Sequence, residues 1–186
     1  DQKQHLELCR DIAQKFNHDF GKDFFPIIEP VIMKQAARVM SLRNGLDKMS
    51  KSDPSDYSRI MIRDSAKLID QKIKKAKTDT LPVPDNIDDA KLRPEALNLI
   101  TIYAAINNSK IDDVFKEYGN KEFSFFKNKL SESLINLLEP IGSEMNKLLE
   151  DKNYLDQIIK EGSSRAQELA NPIINEVYRI IGLLKT

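Results

Sequence analysis

From Pro94 onward, apolar residues recur at three- and four-residue spacing with almost no interruption, and a chain patterned in this way has to bury its stripes as packed helices. "PEALNLITIYAAIN" opens with Pro94 at a first-turn position, and "SKIDDVFKEYG" runs from a Ser109 cap to a Gly119 terminator. In "FSFFKNKLSESLINLLEPIGSEMNKLLED" the residues Phe126, Leu130, Leu134, Leu137, Ile141 and Leu148 share one face, and Pro140 is expected to bend or split the helix. "SSRAQELANPIINEVYRIIGLL" repeats the pattern around Pro172. Tyr103, Phe115, Phe123, Phe125, Phe126 and Met145 read as the core of this bundle rather than as a base-stacking platform. Neither an internal repeat of fixed period nor a low-complexity tract is present.

The texture upstream is different. "DQKQHLELCRDIAQKF" reads as an amphipathic helix, with His5, Cys9, Ile12 and Phe16 beside Leu6 and Ala13, and with Asp1 placed to cap it. Cys9 is expected to be a small buried hydrophobe. "DFFPIIEPVI" and "ARVMSL" are short, rich in β-branched or aromatic residues, and the first is broken by Pro26 and Pro30, which favours brief strands. "NGLDKMSKSDPSDYS" is a long polar loop with turn signals at Asn44-Gly45 and Asp53-Pro54. In "DSAKLIDQKIKKAKTD" the helical period returns, with Ala66, Ile69, Ile73 and Ala76 inward and lysines 67, 72, 74, 75 and 77 toward solvent. "LPVPDNIDDAKLRP" is the most loop-like stretch and sets the expected division near residue 80.

Composition bounds the partners. The 186 residues carry 29 basic and 29 acidic side chains, so no global field marks a nucleic-acid or membrane binder, and any polyanion has to be met by a local patch. With one cysteine and two histidines far apart, an internal disulfide is ruled out and no metal site is expected. A reducing, cytoplasmic setting follows from the cysteine count. No apolar run approaches the roughly 20 residues that span a bilayer, so no membrane partner is expected.

The loop at 46–54, "LDKMSKSDP", concentrates charge donors. Each ammonium of Lys48 and Lys51 offers three donors, each hydroxyl of Ser50 and Ser52 one more, and Gly45 reads as a flexible joint just upstream. Such a set can close around a polyphosphate and act where charge builds on a leaving pyrophosphate. Composition alone equally allows a solvated lysine-serine loop, because no Gly-rich phosphate cradle accompanies it.

The order of the letters decides between these. Lys48-Met49-Ser50-Lys51-Ser52 is the KMSKS pentapeptide of class I aminoacyl-tRNA synthetases, and with "DQKQHLELCRDIAQKFN", "ARVMSL" and "KMSKSDP" the chain resembles the tryptophanyl-tRNA synthetase family, tyrosyl-tRNA synthetases being its nearest neighbours. The family's His-Ile-Gly-His type motif is not in the sequence, so the resemblance implies the C-terminal half of such an enzyme, with Asp1 and Gln2 the last letters of a Gly-x-Asp-Gln segment. The implied fold is a mostly α fragment of an α/β synthetase: residues 1–80 would end a Rossmann-like nucleotide-binding domain and carry the KMSKS loop, and 81–186 would form an α-helical anticodon-binding bundle.

The resemblance also implies roles. Lys48, Ser50 and Lys51 would be catalytic and hold the ATP phosphates, with Ser52 ordering the loop; Val39 and Met49 would read adenine through their backbones; Asp1 would contact the ribose of ATP, and Gln2 the α-amino group of tryptophan. Asp53 and Pro54 would shape the loop's exit. Magnesium would come bound to the ATP phosphates. The partners implied are tRNA-Trp and, for the whole enzyme, a second copy in a homodimer, with Lys72, Lys74 and Lys75 as weak candidates for tRNA contacts against a merely solvated face. Two alternatives stand beside this reading, a tyrosyl-tRNA synthetase relative and a non-catalytic helical RNA-binding or interaction module.

Overall fold

The computed structural model describes residues 3–32 and 36–183, which contain seven α-helices: α1 (Lys3–Asp19), α2 (Ala66–Lys75), α3 (Ile87–Leu92), α4 (Pro94–Ile106), α5 (Ile111–Tyr118), α6 (Phe123–Glu150) and α7 (Lys152–Ile181). A single 3-10 turn, Asp56–Ser58, lies between α1 and α2 in the chain. The protein is thus mostly α. The chain divides into two compact units, one made of Asp1–Ile32 with Leu148–Thr186 and the other of Met33–Lys147.

In the first unit, α1 is amphipathic, yet Ala13 is its only residue out of solvent among those described. Cys9 is exposed and Ile12 is 59% exposed, against the expectation of a buried stripe. These two side chains line an open apolar cleft with Ala13, Phe25, Pro26 and Ile28, so this part of the stripe faces the segment that follows α1. Phe24 and Phe25 do not pair as a strand. Their N–H groups donate to Asn17 Oδ1 at 3.1 and 2.9 Å, Asn17 Nδ2 donates to the Phe25 carbonyl at 2.8 Å, and Arg10 Nε donates to the Ile28 carbonyl at 2.8 Å. Side chains of α1 thereby satisfy backbone groups that a sheet would otherwise have taken, in a segment whose prolines could not have donated to a ladder. The rings of Phe16, Phe20, Phe24 and Phe25 cluster, with Phe16 and Phe25 edge-on at 4.9 Å.

The second unit has a continuous apolar core. Ile69 and Ile73 of α2, Leu99 and Ile100 of α4, Val114 of α5, and Phe126 and Leu130 of α6 are all fully buried in it. Each such side chain contributes roughly 1.5–3 kcal/mol relative to exposure. The stretch that reads as a linker belongs to the same core: Val83 and Pro84 are buried, and Val83 exchanges backbone hydrogen bonds with Asn120 and Lys121 at 2.9 Å each. Arg93 ties the stretch down by donating to both carboxylate oxygens of Asp79 at 2.7 Å and to the Pro82 carbonyl at 2.7 Å.

Helix ends explain several local choices. Ser65 caps α2 by accepting from the Leu68 N–H, and Asn86 caps α3 by accepting from Asp88 and Asp89. At the other end of α2, buried Lys127 donates to the Ala76 carbonyl at 2.7 Å, and burial depresses its pKa. Lys110, not Ser109, occupies the N-cap of α5. Pro140 does not split α6, which runs unbroken from Phe123 to Glu150. The proline is exposed, so the carbonyl it cannot bond is open to water. The α6 stripe is buried at Phe126, Leu130 and Leu134 but is 44% and 45% exposed at Leu137 and Ile141.

Candidate active-site loop

The expected strand "ARVMSL" appears in the described residues as one isolated antiparallel bridge, Met40 to Lys48. The Met49 N–H donates to the Val39 carbonyl at 3.0 Å and the Ser41 N–H to the Asp47 carbonyl at 2.8 Å, which closes a short hairpin around Asn44-Gly45. Asn44 builds the turn from its side chain, accepting from Leu46 N–H at 3.2 Å and donating to Asp47 Oδ2 at 2.7 Å.

Gly45 is not a flexible joint. It is buried, and a Cβ there would lie 2.5 Å from both the Pro94 carbonyl carbon and the Glu95 nitrogen, so its hydrogen is what lets the turn seat on the first turn of α4. Glu95 forms an ion pair with Lys77 at 2.8 Å, and chiefly for that reason its pKa is lowered. One helical turn further along α4, Asn98 accepts from the Met40 N–H at 3.0 Å and donates to the Met40 carbonyl at 2.8 Å. Asn98 is 5% exposed, and its amide stands in for the strand that Met40 lacks on that side.

Within the pentapeptide, Lys48, Lys51 and Ser52 are exposed while Met49 and Ser50 are half-buried. The Met49 side chain packs on the core and lines an apolar cleft of about 190 Å³ with Val39, Leu42, Ile102, Ala105 and Leu138. Ser50 and Ser52 are joined through their hydroxyls at 2.9 Å, and the Ser52 N–H donates to Ser50 Oγ at 3.3 Å, a local turn that carries Lys51. Asp53 shapes the exit by accepting from the Ser55 N–H at 2.7 Å. Asp1 and Gln2 lie outside the described residues.

The lysines of α2 do not form one solvated face. Lys72 is fully buried, its ammonium 2.6 Å from Asp64 Oδ2 and 2.9 Å from Asp56 Oδ2, so it cannot reach a nucleic-acid phosphate and leaves the set of tRNA candidates. Lys74 is exposed and pairs with Asp70 at 2.8 Å, holding that carboxyl below its ordinary pKa. Lys75 is exposed and stands over the Tyr57 ring at 4.5 Å. The burial of Lys72 was not legible because helical spacing places it one position before Ile73, on the edge of the apolar stripe, and only Asp56 and Asp64 turn it inward.

Two exposed ammonium groups and two hydroxyls on one short loop, its base fixed to a helix, form an arrangement suited to a polyphosphate. Residues 1–139 match the family described as tRNA synthetases class I (W and Y), and the chain belongs to it. Among particular relatives, the chain is 47% identical to a tryptophan-tRNA ligase of Agrobacterium fabrum, over all of this chain and 58% of that protein. It is 50% identical to the tryptophan-tRNA ligase of Caulobacter vibrioides, over 98% of this chain and 53% of that protein. In structure it is similar to tryptophanyl-tRNA synthetase from Mycoplasma pneumoniae, with a TM-score of 0.79 and 27% identity over all of this chain and 57% of the other. It is also similar to the Campylobacter jejuni enzyme complexed with ADP and tryptophan, with a TM-score of 0.65 and 28% identity over 98% of this chain and 55% of the other. The chain therefore spans a little over half the length of these relatives. No helix among the described residues is long and apolar enough to cross a membrane.

Proposed function

We propose that the chain is the KMSKS-bearing part of a cytoplasmic tryptophan-tRNA ligase, which joins tryptophan to ATP as an adenylate, releases pyrophosphate, and transfers the tryptophanyl group to tRNA-Trp. The observation that carries this reading is the loop itself, Lys48 to Ser52, exposed and mounted on a turn that α4 holds through Gly45 and Asn98. The donors on it suit phosphate oxygens rather than a metal, so magnesium would enter with ATP as part of the substrate. Lys48 and Lys51 would neutralise charge on the departing pyrophosphate, Ser50 would hold a phosphate oxygen, and Ser52 would keep the turn closed. Because the Met49 N–H is committed to the Val39 carbonyl, an adenine edge would be read by the Val39 N–H and the Met49 carbonyl. Asp1 and Gln2 would take the ribose and the tryptophan amino group.

Residues 1–80 would serve the nucleotide and residues 81–186 the tRNA, a division of labour that need not follow the division of cores. Lys74 and Lys75 are the exposed lysines of α2 that remain for a tRNA path, and a homodimer is the proposed assembly of the whole enzyme.

The test is single-turnover kinetics on the whole enzyme with Lys48→Ala and Lys51→Ala. Loss of one contact made mainly in the transition state is worth about 2.7–4 kcal/mol, so adenylate formation should fall roughly a hundredfold or more with little change in the Michaelis constant for ATP. Transfer from preformed adenylate should survive, since pyrophosphate has already left. Equal losses in both steps, or a change confined to ATP affinity, would refute the assignment. Exchange driven by tyrosine instead of tryptophan would refute the substrate.

A further inference from the structure

The segment that leaves the KMSKS loop is held by charges that have no counterpart in the phosphate-binding role. Asp53 follows Ser52 directly, and Arg59 Nη1 donates to the Asp53 carbonyl at 2.9 Å and to the Ser55 carbonyl at 3.3 Å. Arg59 Nη2 also stands 3.3 Å from Asp56 Oδ1, and the other oxygen of Asp56 meets Lys72 at 2.9 Å. Lys72 is completely buried and continues to Asp64, whose Oδ2 also accepts from the Met61 N–H at 2.9 Å. The remaining residues of the 3-10 turn are gripped as well: Tyr57 lies under Lys75, and buried Ser58 gives its carbonyl to the Leu42 N–H at 2.9 Å.

A relay of four charged side chains therefore runs from the last peptide of the loop into α2. A mobile loop can deliver its cations accurately only if both of its ends are fixed, because displacement at an end is carried to the tip. The entrance is fixed by the Met40 bridge and by Asn98. We infer that Asp56, with Arg59 and Lys72, is the positioning device for the exit, so that closure is confined to the three or so residues after Met49 and brings Lys51 to one place. Resting on the proposed adenylation chemistry, this assigns Asp56 to the reaction through the loop, without contact to the substrate. It also explains why Lys72 is buried in an ion pair at a position where an aliphatic side chain would pack without desolvating a charge.

The test uses Asp56→Ala in the whole enzyme, because Asp56 is 53% exposed and its removal leaves Lys72 paired with Asp64, which protects the fold. The expected result is a ten- to hundredfold slower adenylation step with the Michaelis constant for ATP within about threefold of wild type, and transfer of preformed adenylate within about twofold. Asp56→Asn, which can still accept from Lys72, should recover part of the rate. The salt dependence of tRNA binding should be unchanged in both variants. A readout independent of activity is amide hydrogen exchange, which should accelerate at least tenfold at residues 53–58 in Asp56→Ala. Adenylation at the wild-type rate, equal loss in both steps, or unaltered exchange at 53–58 would overturn the inference. If the wild-type enzyme lacked tryptophan-dependent pyrophosphate exchange, the proposed function would fall, while hydrogen exchange would still decide whether Asp56 fixes the exit.

Discussion

Replacing Asn98 by alanine removes the two hydrogen bonds that hold the backbone of Met40, at 3.0 and 2.8 Å, and leaves a donor and an acceptor without their partner. An orphaned buried polar group is unfavourable by about 1–3 kcal/mol. Two groups are affected, but Met40 is half-buried and water can reach part of it, so the expected loss is about 2–4 kcal/mol. Asn98→Asp is the sharper companion. It keeps an acceptor for the Met40 N–H, but it sets a carboxylate oxygen against the Met40 carbonyl at a nearly inaccessible position, and it should be at least as damaging as alanine. Urea unfolding followed by far-UV circular dichroism measures both, provided the dependence on denaturant is the same for all variants. A loss below about 0.5 kcal/mol for Asn98→Ala would mean that the loop base does not rely on this amide, and the account of how α4 fixes the entrance would have to be given up.

Gly45→Ala puts a Cβ 2.5 Å from backbone atoms of Pro94 and Glu95, which cannot give as a side-chain tip would, and overpacking of this kind is expected to destabilise by about 1–3 kcal/mol in the same titration. A neutral Gly45→Ala would show that the turn can lift off α4. Tyr118 carries a pKa raised above its ordinary value, first by desolvation and then by the hydroxyl contact with Tyr103 at 2.8 Å. Its phenol stays protonated in the folded chain at pH values where the unfolded chain ionises, so stability is intact below about pH 10 and falls as pH rises beyond it. Tyr118→Phe should lower stability at neutral pH by about 0.5–1.5 kcal/mol yet flatten that alkaline decline, and parallel declines for the two proteins between pH 9 and 11 would exclude Tyr118 as its source.

The helices were legible because their signal is local and repeated. Period, Pro94 in a first turn and the Gly119 stop placed α2, α4, α5 and α6 to within about a turn, although the Ser109 cap was off by one residue, and Ile69, Ile73 and Ala76 face inward as the spacing requires. The KMSKS letters were legible as a family signature, since their order is informative in a way their composition is not. What escaped notice depends on residues distant in the chain. Cys9 and Ile12 lie on a helical stripe, but a stripe cannot say what covers it. "ARVMSL" has strand composition, yet Asn98, 58 residues after Met40, supplies the hydrogen bonds on one side of it. Gly45 reads as freedom in the sequence and is a close contact in the structure, because the contact is made by Pro94 and Glu95. Pro140 predicts a break only where its unbonded carbonyl cannot find water.

The two lysines of the pentapeptide are mechanically unlike, although sequence makes them look equivalent. Lys48 belongs to the bridge with Met40, so its backbone is already ordered, and reaching a phosphate would order no further peptide. Lys51 sits between Ser50 and Ser52, whose mutual hydrogen bond is local, and bringing it to a phosphate also orders peptides of the loop at about 1–2 kcal/mol per residue. That surplus would have to come from contacts with the substrate, and on the proposed chemistry those contacts would form best when charge has accumulated on the pyrophosphate. On the proposed adenylation chemistry, Lys48 would act as a standing charge at the mouth of the loop, and Lys51 as one whose arrival is coupled to the reaction. Rigid ends keep that coupling intact, because freedom anywhere outside the Ser50–Ser52 turn would add to the entropy lost on closure without adding a contact.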